Sequence, residues 1–139
     1  MTDKTKALKT LHTRLIDSID GYEQAHENMD GPHKAFAERC ISERRQFHDT
    51  LHDQLVKDGI EVSESGSTAA AVHRQVFNIR DALSSGDSGI LAECARGDSH
   101  LLKAYDEAME ATDSAPAYAF LVDQRTKVAA AEADAKSFS

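Results

Sequence analysis

The sequence predicts an all-α fold, a four-helix bundle with one long crossover connection. Four long segments carry apolar residues at alternating spacings of three and four, the period of an amphipathic helix. Two of the three connections between these segments are short turns that contain glycine or proline. The third connection, 60–89, is a passage of about 30 residues, long enough to run the length of a bundle. A four-helix bundle with one such crossover is of the ferritin-like class.

The first two predicted helices, 4–29 and 33–57, form a hairpin. Asp30-Gly31-Pro32 supplies the turn, because glycine can end a helix and proline can begin the next one. A turn this short makes the two helices antiparallel neighbours. The inward stripes consist of Leu8, Leu11, Leu15, Ile19, Tyr22, His26 and Met29 in the first helix, and Phe36, Cys40, Arg44, Phe47, Leu51 and Leu55 in the second.

An additional helix, 69–83, is predicted inside the crossover. Ser67 or Thr68 can cap its N-terminus with a side-chain oxygen. His73 and Arg74 lie near its start, where histidine can bond a backbone carbonyl. We therefore expect these two residues to anchor the crossover to the bundle.

The second hairpin consists of predicted helices 90–112 and 117–136. Asp87 or Ser88 is expected to cap the first of them, and the break at 113–116 contains a proline. The inward stripes are Ile90, Cys94, Asp98, Leu101, Tyr105 and Ala108, then Tyr118, Leu121, Arg125, Val128 and Glu132. No alternating run bounded by turn residues indicates a strand. The whole chain, 1–139, is therefore predicted to form a single bundle domain.

Three charged residues fall on the predicted core lines. Asp98 must find a partner there or take up a proton. Arg44 and Arg125 lie near the middle of the second and last bundle helices, and a guanidinium stays charged. We therefore predict a structural polar layer in which Asp98, with Glu43 or Glu23 as a further acid, neutralises Arg44 and Arg125, an arrangement that can fix helix register.

The ligand set of a ferritin-like di-metal site is incomplete. Such a site needs two carboxylates and two Glu-x-x-His pairs that project into the bundle. Glu23 and His26 form the only such pair in the chain, and no histidine follows His100. Core arginines would also repel a divalent cation. The sequence favours no bound metal; the candidates for an iron or manganese site are Glu23, His26, Glu43, Glu93 and Asp98.

A second histidine pattern occurs on the second helix. His48 and His52 are four positions apart, the spacing of a two-histidine ligand pair, but Asp49 stands where zinc proteases have glutamate. We expect both rings at the edge of the inward stripe, in contact with solvent. The chain has no glycine-rich phosphate loop, dinucleotide fingerprint or nucleophile elbow, so no catalytic residue or cofactor is predicted.

Composition restricts the partners. The 139 residues include 16 basic and 24 acidic side chains, a net charge of −8, which disfavours nucleic acid and anionic membranes. No apolar run approaches the roughly 20 residues of a membrane span, and no secretory leader is evident. Cys40 and Cys94 are expected to be buried free thiols in a reducing cytosol. We therefore expect a cytoplasmic protein.

Four groups of residues show a family resemblance. They are Gly21-Tyr22-Glu23-x-Ala25, Glu43-Arg44-x-x-Phe47-x-x-x-Leu51, Ser65-Gly66-Ser67 leading to His73-Arg74, and Glu93-Cys94-x-Arg96-Gly97-Asp98 with Tyr105. From about residue 8 to 109 the chain resembles a bacterial family of ferritin-like four-helix bundles called a domain of unknown function. The resemblance implies the fold but no established activity. Four departures from the family pattern occur at Ala95, Asp98, Val76-Phe77 and Ala133-Asp134. Ala95 stands where an acid is expected and Ala133 where a histidine is expected, and these losses weaken any inherited metal site.

The leading functional prediction is a non-enzymatic bundle that acts through a protein partner or by self-association as a homo-oligomer. A complete bundle pattern without a complete site favours it. The alternatives are a degenerate iron or manganese oxidoreductase, and a partner-binding bundle whose crossover helix lifts away.

Overall fold

The computed structural model describes residues 3–64, 86–113 and 115–139. Over these ranges the protein is all-helical, without a strand, which confirms the all-α prediction. The helices are α1 (Lys4–Asn28), α2 (Lys34–Lys57), α3 (Gly86–Thr112) and α4 (Phe120–Phe138), with a short 3-10 helix at Pro116–Tyr118. The predicted crossover helix, with His73 and Arg74, lies outside the described residues. None of the described helices combines the length and apolar character needed to cross a membrane.

Among the described residues, the core consists of two apolar layers along the bundle. The first layer contains Leu8, Leu11, Leu15, Phe47, Leu51, Leu55, Leu101, Tyr105, Leu121 and Val128, and the second contains Tyr22, Phe36, Cys40, Ile90, Leu91, Cys94, Ala131 and Ala135. Helices α1 and α4 run from the first layer to the second, whereas α2 and α3 run in the opposite direction. α1 packs against α2 and α3, and α3 packs against α4. The two helices that flank the crossover are therefore parallel.

The end of α2 turns the chain back along the helix. Gly59 has a φ of +72°, a left-handed conformation that glycine adopts without strain. The N–H of Ile60 donates to the carbonyl of Leu55 at 2.9 Å, and that of Gly59 donates to Val56 at 3.1 Å. These two bonds define a Schellman motif. Ile60 and Val62 then pack against the first layer, and Glu64 reaches the histidines of α2, so residues 60–64 lie beside α2.

The start of α3 differs from the prediction. The helix begins at Gly86 rather than near Ile90, and Asp87 lies in its first turn. The Asp87 carboxylate accepts from the N–H of Asp30 at 3.2 Å and of Gly31 at 2.7 Å, so it holds the α1–α2 turn. A Cβ on Gly31 would lie 2.6 Å from Asp87 Oδ2, and glycine therefore permits this close approach.

The buried face of α4 also differs from the prediction. The residues on it are Leu121, Gln124, Val128, Ala131 and Ala135. Arg125 is not part of the polar layer: it is half-exposed and pairs with Asp106 of α3. The core position belongs to Gln124, whose Oε1 accepts from the hydroxyl of Tyr105 at 2.7 Å. The bundle thus avoids burying a second guanidinium, which would be costly without a partner.

Candidate metal centre

A buried ion pair occupies the middle of the bundle. Arg44 and Asp98 are both fully buried, and the guanidinium donates to the carboxylate at 2.8 and 3.2 Å. Tyr22 donates its hydroxyl to the same carboxylate at 2.7 Å, and Arg44 donates to Ser18 Oγ at 2.7 Å. Burial alone would lower the pKa of Arg44, but Asp98 and Tyr22 outweigh it and raise that pKa. The predicted Arg44–Asp98 salt bridge is confirmed, and a fixed cation fills this place.

The five ligand candidates named from the sequence are spread over the bundle. The carboxylates of Glu23, Glu93 and Asp98 pair with Arg45, Arg96 and Arg44, respectively. His26 instead lies 3.5 Å from Glu38 in an open surface groove. Glu43 is half-buried, and in the described part of the chain it does not belong to any group of potential metal ligands. These residues are therefore not brought together around a common point.

A different set of four residues converges. The ligand atoms of His12, His48, His52 and Glu64 all lie within 4.8 Å of one another. Nε2 of His12 is 3.1 Å from Nδ1 of His52 and 3.7 Å from Oε1 of Glu64. The Glu64 carboxylate lies 2.8 Å from Nδ1 of His52 and 2.9 Å from Nε2 of His48. Ligands on one tetrahedral ion with bonds near 2.0–2.1 Å stand roughly 3.3 Å apart, so these separations suit a shared ion.

Three local features position the cluster. His48 and His52 lie on one face of α2 because residues four apart are neighbours on a helix surface. His12 lies on α1 beside Leu11 and Leu15, on the buried face that meets α2. Glu64 reaches the histidines from the segment that turns back after Gly59.

Burial keeps the His12 imidazole in the neutral form that can bind a metal ion. The side chain of His12 is 1% exposed. Burial, followed by the nearby His48 ring, lowers the pKa of His12 to about 4. The ring is therefore neutral at pH 7, which is the form of histidine that binds metal ions. Its Nδ1 is buried and has no hydrogen-bond partner among the described residues, while Nε2 points into the cluster.

The cluster is rich in hydrogen-bond acceptors. Nδ1 of His48 lies 2.9 Å from Asp49, and Nε2 lies 2.9 Å from Glu64. Ionised carboxylates only accept hydrogen bonds, so this ring needs either a proton on both nitrogens or a cation at Nε2. A metal ion at Nε2 would leave Nδ1–H free to donate to Asp49, the outer-sphere arrangement common for histidine ligands.

The sequence indicates half of this cluster, the histidine pair of α2. His48 and His52 have side-chain exposures of 13% and 30%, which agrees with the edge of the inward stripe, but the sequence did not associate them with His12 and Glu64. His12 was overlooked although its position, four after Leu8 and three before Leu15, places it on the inward stripe. Nothing in the sequence marks Glu64, because its place depends on the chain reversal after α2.

Fold and site together define an all-helical bundle with an imidazole-rich cluster between its first two helices. Residues 3–111 match the family described as Domain of unknown function (DUF2383). This match covers more than half of the chain, and the protein belongs to that family. No curated protein and no solved structure matches the chain.

Proposed function

We propose that this protein is a metal-binding helical bundle that holds one divalent transition-metal ion at His12, His48, His52 and Glu64. The observation that carries the proposal is the convergence of three imidazole nitrogens and one carboxylate from separate parts of the chain. Imidazole ligands favour zinc, iron, nickel and copper over magnesium and calcium. Of the two metals that the sequence offered only as an alternative to a metal-free bundle, iron fits this site better than manganese, which binds most weakly in the divalent series.

The proposed centre differs in place from a ferritin-like di-metal site. It lies between α1 and α2 beside the first apolar layer, whereas Arg44 and Asp98 fill the middle of the bundle. The parallel course of α2 and α3 is the topology of a bundle with one crossover, and it supports a ferritin-like assignment. In this proposal the bundle is ferritin-like, but its metal is held at one side.

Metal binding replaces surface interaction as the leading proposal. Among the described residues, the large apolar side chains with high exposure are Val56 on α2 and Val122 on α4. Two separate valines do not make an apolar patch of the kind that marks a protein interface. A protein partner or homo-oligomer stays a prediction without a surface assigned to it.

Metal titration of the chelator-treated protein tests the proposal. Calorimetry with Zn²⁺ and Co²⁺, combined with elemental analysis after dialysis, should give one ion per chain. His52→Gln should weaken metal binding at least tenfold, because it removes one of the four ligands. The position is half-exposed, so the substitution should leave the protein folded. His26→Gln is the matched control, since it removes a histidine of α1 that lies outside the cluster. Equal affinity of the wild type and His52→Gln, or no binding at all, would refute the proposal.

A further inference from the structure

The four ligands of the proposed metal centre differ in how firmly they are held. The side chains of His12, His48 and His52 are 1%, 13% and 30% exposed and come from helices. Glu64 is 58% exposed and comes from a segment outside any helix. Three ligands are therefore fixed by packed helices, while the fourth is held at the solvent side.

The cluster adjoins a surface depression of about 470 Å³ through His52. Its lining residues are His52, Val56, Gly59, Ile60, Glu61 and Val62. His52 therefore belongs both to the cluster and to the wall of the depression. A small molecule in this depression can approach the centre without crossing the packed core.

Charge balance determines what can replace Glu64. Three neutral imidazoles leave the +2 charge of a divalent ion unchanged, and the Glu64 carboxylate reduces it to +1. If Glu64 dissociates, a monovalent anion restores the same charge, whereas a neutral ligand does not. The centre in that state attracts small anions by direct Coulombic attraction.

We infer that Glu64 is a displaceable ligand and that a small monovalent anion binds the metal in its place, from the side of the depression. This inference rests on the proposed function. It assigns the centre three permanent histidine ligands and one exchangeable position, which is the pattern of metal sites that bind exogenous ligands rather than purely structural ones.

The test uses the full chain loaded with Co²⁺, whose visible absorption reports its ligands, and azide as the anion. Wild-type absorption should change with saturation as azide is added, while dialysis shows that cobalt is retained. If Glu64 is bound to the metal in nine-tenths of the wild-type molecules, Glu64→Gln should bind azide about tenfold more tightly than the wild type. Glu107→Gln is the control, because it removes the same charge from an exposed position of α3 that belongs neither to the cluster nor to the lining of the depression.

The outcomes separate this inference from the proposed function. Stoichiometric cobalt binding with no azide effect in either the wild type or Glu64→Gln overturns the inference and leaves metal binding intact. Equal azide affinity in these two proteins, or loss of cobalt to azide, also overturns it. Failure to bind cobalt at all would remove both proposals.

Discussion

Nε2 of His12 and Nδ1 of His52 lie 3.1 Å apart, although the two residues belong to different helices and are 40 positions apart in sequence. Two neutral imidazole nitrogens at this distance can share one proton in a hydrogen bond, or both can act as ligands of one metal ion. A metal ion at this point would link α1 directly to α2.

Zinc should therefore stabilise the folded protein. At a free zinc concentration of 100 times Kd, ligand linkage adds about 2.7 kcal/mol to the free energy of unfolding. Thermal unfolding of the chelator-treated protein, with and without zinc, measures this as a rise in Tm. His52→Gln should lose most of the rise, and His26→Gln should keep it. A zinc-dependent rise of equal size in His52→Gln would show that zinc acts elsewhere.

Removing one partner of the central ion pair should be costly. Asp98→Ala leaves the Arg44 guanidinium charged in a dry core and should lower the free energy of unfolding by about 3–5 kcal/mol. Urea unfolding followed by circular dichroism measures the change. Asp106→Ala, which breaks the half-exposed pair with Arg125, serves as the control and should cost less than about 1 kcal/mol. Similar losses in the two variants would contradict the assigned burial of Asp98.

Both cysteine thiols should resist modification in the folded protein. Cys40 and Cys94 are free and buried, as expected from sequence. Burial raises the pKa of Cys40 to about 12 and holds that of Cys94 well above its usual value. The reactive species is the thiolate, which these thiols scarcely form at pH 8. A thiol-specific disulfide reagent should react slowly with native protein and rapidly with both cysteines in urea; rapid native labelling would contradict this arrangement.

The contact between Asp87 and the α1–α2 turn should behave as a coupled unit. Gly31→Ala pushes against the Asp87 carboxylate and should destabilise the fold by about 1 kcal/mol, and Asp87→Ala should cost a similar amount through its lost hydrogen bonds. In the double variant the methyl group meets no carboxylate, so the total cost should be smaller than the sum. Urea unfolding of all four proteins gives the coupling energy. Strict additivity would mean that the two residues do not interact in solution.

Helical periodicity predicted the hairpins well because apolar burial enforces it along each segment. The first two helices end within a residue or so of the expected positions. The start of α3 was missed because its glycine- and serine-rich sequence is typical of a loop, whereas Asp87 bonds the distant α1–α2 turn instead of capping its own helix.

Charged residues next to an apolar stripe are harder to place. Arg125 and Gln124 are neighbours in sequence, and a small rotation of α4 decides which one faces the core. The structure buries Gln124, which bonds Tyr105, and leaves Arg125 with Asp106 at the edge. By contrast, Arg44 has Phe47 and Cys40 on its own face and meets Asp98, so its burial was predictable.

The candidate site shows the limit of sequence patterns most clearly. The spacing of His48 and His52 is visible in the sequence, and His12 can be found from its place on the inward stripe. Glu64 completes the group only because a left-handed glycine reverses the chain after α2. That tertiary relationship has no local periodic signal.

X-ray absorption at the zinc K-edge of the zinc-loaded protein tests the central claim most directly. The account predicts a first shell of nitrogen and oxygen with the multiple-scattering pattern of three imidazole rings. The number of rings should fall to two in His52→Gln and stay at three in His26→Gln. A shell of oxygen atoms without imidazole scattering, or a spectrum unchanged by His52→Gln, would contradict the claim that these histidines hold the metal.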